Sequence, residues 1–509
     1  MLTRLRVKGF KNLADIDVAF GPFTCVAGAN GVGKSNLFDA ITFLSAIAEL
    51  PLIDAARCVR DEKNRSNEIR SLFFRAGDET VDEITFVAEM LIPAEGVDEL
   101  GQNARASITF LQYTLVLGYE TDAELQQIER LVVRREELQH INVGDARKRL
   151  AFEHSRSWRK SVVHGRRSSP FISTVSEQNN TIVKLHQEGG MGGGRTRRLL
   201  ASKLPRTVLS SANAAESPTA LLAKREMQSW RLLQLEPTAL RNPDPFNAPT
   251  HIGADGAHLA ATLYHLARSR QNGDIGNGDS EALLAEVVNR LSELVEDIHS
   301  VRVDVDQRRE LLTLQVVDRN QTLHPARALS DGTLRFLALT ILELDTSAHG
   351  LLCFEEPENG IHPERIPSML ELLKDLATDP SEEIGADNPL RQVIVNTHSP
   401  AVVSLVDDAD LLVAEPSEVS VNNRRCRAVS FSWLEDTWRQ EASPSKRPLS
   451  RGKLRFYLNP LAVAEDREDE VNEDATRSQG TSRRRKRRRV KDRQDLQLLL
   501  PNIPWVANE

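Results

Sequence analysis

Residues 23–35 read Phe23-Thr24-Cys25-Val26-Ala27-Gly28-Ala29-Asn30-Gly31-Val32-Gly33-Lys34-Ser35. The opening apolar run has the pattern of a strand buried on both faces. From Gly28 to Ser35 the sequence matches GxxxxGK[ST] without deviation. After Ser35, residues Leu37, Ala40, Ile41, Leu44 and Ile47 recur at helical spacing and form one apolar face. A glycine loop between a strand and a helix is the setting of a phosphate-binding P-loop. Its glycines let backbone N–H groups, those of Asn30, Gly31 and Gly33 among them, wrap phosphate oxygens, and the helix aims its positive dipole end at them. Lys34 would then reach the β- and γ-phosphates of ATP, and the Ser35 hydroxyl would ligate Mg²⁺. Upstream, residues 2–7 alternate like a strand and residues 16–20 form another, ended by Gly21-Pro22.

A second apolar run, Leu351-Leu352-Cys353-Phe354, ends in Glu355-Glu356. Acids at the C-terminal end of a core strand stand where ligands bind in α/β sheets. Glu355 would act through the metal's coordination shell, and Glu356 would orient or deprotonate an attacking water. Before that strand, Leu329-Ser330-Asp331-Gly332-Thr333 opens an apolar helix over residues 336–344. A serine and a glycine at a helix N-terminus can hold an anion; on local grounds an ordinary cap is the better reading, and the position some 20 residues before the acidic strand reverses that. Residues 393–395 form a further buried strand, followed by Asn396-Thr397-His398-Ser399-Pro400. A histidine there can bond a terminal phosphate or the attacking water.

Between these motifs the reading is coarser. Strand-like pieces lie at 84–91 and 107–117, a charged stretch at 124–137, and a glycine-rich run at 189–194 that reads as a flexible loop. A helical pattern follows Asp255-Gly256 through Leu259, Leu263 and Leu266, and residues 301–305 and 311–317 suggest a hairpin. Strands and helices alternate at both ends of the chain, which implies an α/β core. No heptad array long enough for a coiled-coil arm is present.

The chain has 509 residues, 40% of them hydrophobic, and 65 Lys/Arg against 73 Asp/Glu give a net charge of −8. Globally this is no signature of nucleic-acid binding. Four scattered cysteines without a CxxC pair argue against zinc or a disulfide framework. The first residues lack a secretory apolar core, and no apolar run approaches the roughly 18 residues of a membrane span, so a cytoplasmic protein with no membrane contact is expected. The tail is different: residues 465–474 carry seven acids and one arginine, and residues 483–489 read RRRKRRR. Such blocks are usually disordered, with a nucleic-acid or partner contact as the alternative. Without the ten Lys/Arg and one Asp of residues 477–493 the net charge would be −17, so the basic character sits in one segment.

Taken in order, GANGVGKS, LSDGT, LLCFEEPENGIHP and VNTHSP resemble the head domain of ABC-type ATPases, the group that includes RecF, the SMC proteins and the OLD (overcoming lysogenisation defect) ATPases, often grouped as AAA family ATPases. The EEPE-x-x-IHP form, the THSP ending and the opening Leu5-x-Val7-x-Gly9-Phe10-Lys11-Asn12 are closest to the OLD-like branch. The resemblance implies an ABC-type P-loop head with a mixed sheet, an inserted α+β region and a partly disordered C-terminal tail. It divides the chain into residues 1–95 and 251–415 as the two parts of the head, 96–250 as the insertion and 416–509 as an extension. It further implies a homodimer that sandwiches ATP, possibly assembling further. Ser330 and Gly332 would then contact the partner's nucleotide, while Lys34, Ser35, Glu355, Glu356 and His398 act on their own.

The chain departs from the family in three ways. Glu355 stands where many relatives have Asp, and no motif locates the Q-loop glutamine. Residues 416–509 lack the DxD cluster of the nuclease domain that follows THSP in OLD nucleases, so no intrinsic nuclease is expected. The chain is similar to stand-alone ATPase subunits of antiphage systems such as Septu. That implies ATP-driven control of a separate effector nuclease through nucleic-acid sensing in bacterial antiviral defence. The alternative is a RecF-like DNA repair or recombination clamp.

Overall fold

The computed structural model describes residues 1–59, 69–77, 79–121, 129–188, 196–271, 278–294, 298–345, 348–421, 424–442 and 448–449. The glycine run 189–194 and the charged blocks 465–474 and 483–489 lie outside the described residues.

Phe23–Ala27 is fully buried near the middle of a six-stranded sheet. The order is Arg231–Leu233, Gly350–Glu355, Arg391–Thr397, Phe23–Ala27, Leu411–Val421 and Arg424–Ser432. The first five strands run parallel and the last is antiparallel. Their apolar runs are continuous because both faces are covered, and alternate residues serve opposite cores. Val26, Cys353 and Ile394 pack with the P-loop helix Lys34–Ile47, while Cys25, Leu352, Phe354, Val393 and Val395 face the core on the other side. That second core is completed by the helices Leu259–Gln271, Asp331–Leu344 and Ile366–Asp375 and by the hairpin Ile298–Asp306/Leu311–Asp318. The hairpin and the helix Leu259–Gln271 agree with the sequence expectation, the helix expected over 336–344 starts earlier, at Asp331, and Ile366–Asp375 was not expected.

Leu37, Ile41 and Leu44 of the P-loop helix are sandwiched between the parallel sheet and an antiparallel sheet of eight strands. The antiparallel sheet is built around Leu2–Phe10, which pairs with Leu13–Ala19 on one side and Glu83–Leu91 on the other. Residues 96–250 supply five of its eight strands, and they also supply Arg231–Leu233 to the parallel sheet. The fold is thus α/β with a mixed sheet and a second, antiparallel layer.

The charged stretch near 124–137 holds an unexpected feature. Glu129–His140 is a strand, and Glu136 within it is 0% exposed. Its carboxylate accepts from the backbone N–H of Val208 (2.7 Å) and Leu209 (2.8 Å) and from the Tyr113 hydroxyl (3.2 Å). The Thr207 hydroxyl in turn donates to Ile47 O at the end of the P-loop helix, 2.9 Å away. Burial pushes the Glu136 carboxyl up to about 7, against the opposing pull of those hydrogen bonds. An acid raised in the folded state contributes stability that is full below its unfolded value, near 4.5, and is lost as pH rises through about 7. The difference in unfolding free energy between wild type and Glu136→Gln should therefore vary with pH between those limits. Denaturant melts at a series of pH values measure it, and a difference that stays constant across that window would refute the linkage.

Candidate functional site

The register brings four strand ends level: Leu233 stands beside Phe354, Glu355 beside Asn396, and Thr397 beside Ala27. Each strand therefore delivers its following residue to the same edge. A cleft of about 480 Å³ opens there. Of the residues singled out in the sequence, Asn30, Gly31, Gly33, Lys34, Ser35, Glu355 and Glu356 line it.

Gly33 sits at φ +107°, immediately before the helix. A Cβ added there would stand 1.9 Å from the Asn12 Nδ2 atom. Asn12, in the turn between Leu2–Phe10 and Leu13–Ala19, is itself held: it donates to Val32 O (3.2 Å) and accepts from Asn36 Nδ2 (2.7 Å). The Phe10-Lys11-Asn12 segment thus braces the phosphate loop from the antiparallel layer. Lys34 is buried, and its ammonium donates to Gly28 O at 2.6 Å and Ala29 O at 3.0 Å. Burial pushes Lys34 below the usual lysine range, and the nearby charges of Glu356, Glu358 and Glu355 oppose that drop. Ser35 is exposed within the cleft.

Glu356 has φ +44°, a left-handed conformation that few non-glycine residues adopt and that gathers at functional sites. Its N–H is held by Asn396 O (3.1 Å) and Asn396 Oδ1 (3.2 Å). Its carboxylate accepts from Asn359 Nδ2 at 2.8 Å, and Oε1 lies 2.7 Å from His398 Nδ1. Burial alone would raise this carboxyl, but the bonds from Asn359 and His398 and the charges of His398 and Lys34 outweigh it and hold it below the usual range. Glu356 is therefore ionised at neutral pH. His398 is not among the residues lining the cleft and touches it only through this contact with Glu356.

Ser330 and Gly332 are not among the residues lining the cleft. Ser330 is exposed and caps Asp331–Leu344, its Oγ accepting from the Thr333 N–H at 3.1 Å. Arg335, one turn further along the same helix, does line the cleft and donates to Leu235 O at 3.1 Å.

Besides Arg335, three cleft residues that hold the two acids carry no role in the sequence reading. Gln234 follows the short edge strand Arg231–Leu233 and donates its amide to Glu355. Asn396 donates to Glu355 Oε1 at 3.2 Å, and Asn359 holds Glu356. The signal for Gln234 was a two-leucine run ahead of a glutamine, too short to read as a strand without knowing that it adds to the edge of the parallel sheet.

A phosphate loop and paired strand-end acids around one cleft, with a strand-end histidine behind the second acid, define a P-loop nucleotide-binding protein of the α/β class. The family model described as "AAA domain, putative AbiEii toxin, Type IV TA system" matches residues 23–161 and 149–404, and the chain belongs to that AAA domain family. It is similar to a protein of Thermus scotoductus named OLD nuclease, with 51% identity over 41 residues. That match spans 8% of this chain and 8% of the relative. Among solved structures, it is similar to an Smc head bound to the C-winged helix domain of ScpA, at 14% identity over 85% of this chain and 98% of that one, with a TM-score of 0.43. It is also similar to the SMC head domain from Thermotoga maritima, at 11% identity over 85% and 99% of the two chains, with a TM-score of 0.34. Among the described residues no helix is long and apolar enough to cross a membrane.

Proposed function

We propose that the chain binds ATP with Mg²⁺, hydrolyses it, and dimerises on ATP to regulate a separate effector nuclease in bacterial antiviral defence through nucleic-acid sensing. The observation that carries the enzymatic reading is that Glu356, paired with His398 and braced by Asn359 and Asn396, lines the same cleft as Lys34 and Ser35.

The cleft suits a nucleotide triphosphate. Its glycine loop has no room for a Cβ at Gly33, and a lysine ammonium stands at the loop's own carbonyls. Ser35, Glu355 and Gln234 fit Mg²⁺, which keeps several waters and takes substrate phosphates with only one or two carboxylates. Consistent with that, no cluster of three or more His, Cys, Asp or Glu that could hold a metal alone occurs among the described residues. When bound, the metal would neutralise charge on the phosphate oxygens. Glu356 would hold and accept a proton from the attacking water, with His398 fixing its carboxylate. Phosphate release from ATP by the purified chain tests this reading, and a chain that binds ATP but never turns it over defeats the enzymatic part.

Dimerisation is supported by Ser330 and Gly332, which stand at a helix N-terminus outside their own chain's cleft, free to meet a second copy's nucleotide. The family description names a putative toxin of a Type IV TA system, which favours a defence setting over a repair clamp. Nucleic-acid contact is supported by a surface of the folded body. Residues 147–167 hold eight Lys/Arg and one Glu in a chain of net charge −8. Arg147, Lys148, Arg156, Lys160 and Arg166 are exposed and form no ion pair among the described residues. Reversing Arg156 and Lys160 to Glu should weaken duplex binding several-fold and flatten its salt dependence, read as the slope of log K against log salt. An unchanged slope, together with a loss on truncation at residue 476, would move the contact to the basic tail.

A further inference from the structure

The end of the strand Arg391–Thr397 and the acids after Phe354 pair residue by residue. Asn396 donates to Glu355, His398 contacts Glu356 at 2.7 Å, and the Thr397 hydroxyl donates to Glu358. The first two pairs belong to the cleft. The third does not: Glu358 is absent from the cleft lining and is 7% exposed, while Thr397 is 0% exposed. Strand alternation explains the separation, since Thr397 points to the side opposite Asn396.

Thr397 has a second bond. Its Oγ1 accepts from the Ser399 N–H at 2.9 Å, so one hydroxyl clamps the backbone on both sides of His398. Without that clamp, His398 would hang on a strand end that stops at Thr397. Glu358 supplies the fixed end of the clamp. Burying a carboxyl that is met by one hydroxyl and by its own backbone N–H is costly, because water would offer its two oxygens more bonds. Burial correspondingly pushes the Glu358 carboxyl up. A merely structural position would be served as well by an apolar side chain, which carries no such cost.

We propose that Glu358 is a positioning residue that, through Thr397, sets the place of His398 against Glu356; this rests on the ATPase reading above. The four groups form one path from a buried carboxyl to the carboxylate in the cleft. Glu356 holds the imidazole from the cleft side, and Glu358 holds its backbone from the core side.

The test uses the full chain with ATP and Mg²⁺. Thr397→Val removes the hydroxyl at nearly constant volume, Thr397→Ser restores it, and Glu358→Ala removes the anchor. Expected are kcat losses of about 10- to 100-fold in Thr397→Val and Glu358→Ala, the range typical when a supporting partner of a site residue is removed. KM for ATP should stay within about 2-fold, since neither residue lines the cleft. Thr397→Ser should retain most of the activity, and the double variant should be no slower than the worse single one, because both act on one path. Should Glu358→Ala fail to fold, the Thr397→Val and Thr397→Ser pair decides.

A second readout does not depend on turnover: the His398 imidazole resonance should move in Thr397→Val and return in Thr397→Ser. Full kcat in Thr397→Val with an unmoved His398 resonance overturns the proposal. Additive losses in the double variant would do so too. If that happens while Glu356→Gln still abolishes turnover, the ATPase reading stands and only the positioning role falls. A wild-type chain without any turnover removes both.

Discussion

Glu356→Gln should lower ATP turnover by about 10²- to 10⁴-fold, the usual contribution of a positioned general base, while ATP still binds. The amide keeps the carboxylate's shape, so the surroundings need little rearrangement. Its oxygen can accept from Asn359 Nδ2, and its NH₂ can face His398 Nδ1, the two atoms that hold the carboxylate at 2.8 and 2.7 Å. The side chain is about one-third exposed, so little folding free energy rests on its charge. What the substitution removes is the proton acceptor. Lys34, Ser35 and the phosphate loop stay intact, so nucleotide should accumulate on the protein and hold two copies together. Sizing in the presence of ATP and Mg²⁺ would then show a dimer that persists in the variant and decays in the wild type. The measurements are phosphate release and chromatography with light scattering. Undiminished turnover would remove Glu356 from the role of base.

The second large effect is expected at Gly33→Ala, where ATP affinity should fall by about 100-fold, the scale of loss when a site is displaced by about 1 Å. Two independent costs meet at this position. The backbone stands at φ +107°, outside the range an alanine adopts easily. The new methyl would also lie 1.9 Å from Asn12 Nδ2. Asn12 is poorly placed to yield, because Val32 O and Asn36 Nδ2 fix both ends of its amide. Either the asparagine or the loop must move, and the loop carries the phosphate-facing N–H groups. Global stability should drop far less, by about 1–3 kcal/mol, the ordinary cost of one strained backbone position. Adding Asn12→Ala relieves the clash but not the φ, so affinity should recover in part. Titration calorimetry with a non-hydrolysable ATP analogue, run beside denaturant melts, separates binding from folding. Wild-type affinity in Gly33→Ala would show that the loop has slack the geometry does not indicate.

Much of the parallel sheet was legible because its strands are short, apolar and followed by chemistry-bearing residues. Phe23–Ala27, the strand before Glu355 and the strand before Asn396 each read as buried runs, and each appears in the structure within a few residues of that reading. Arg231–Leu233 was not legible. Three residues at a sheet edge carry almost no periodic signal, and only pairing with Gly350–Glu355 makes them a strand and carries Gln234 to Glu355. The strand Glu129–His140 was hidden for another reason. Its sequence is rich in charge, and Glu136 lies in the core only because two backbone N–H groups and a tyrosine hydroxyl from elsewhere in the chain meet its carboxylate.

Sequence alone therefore determined the class of chemistry: GxxxxGKS specifies a phosphate loop, because glycines at those spacings free the backbone N–H groups and the lysine supplies a cation. It also named the acid pair and the histidine that such a loop requires. What only the tertiary structure decided is which of these groups share a cleft and what holds them. Parallel register levels the strand ends, so that Lys34 comes to the same sheet edge as Glu356 and His398, more than 300 positions away in the chain. The supporting shell of Asn12, Gln234, Thr397 and Glu358 follows from side-chain contacts between distant segments, and local sequence pattern carries no record of such contacts.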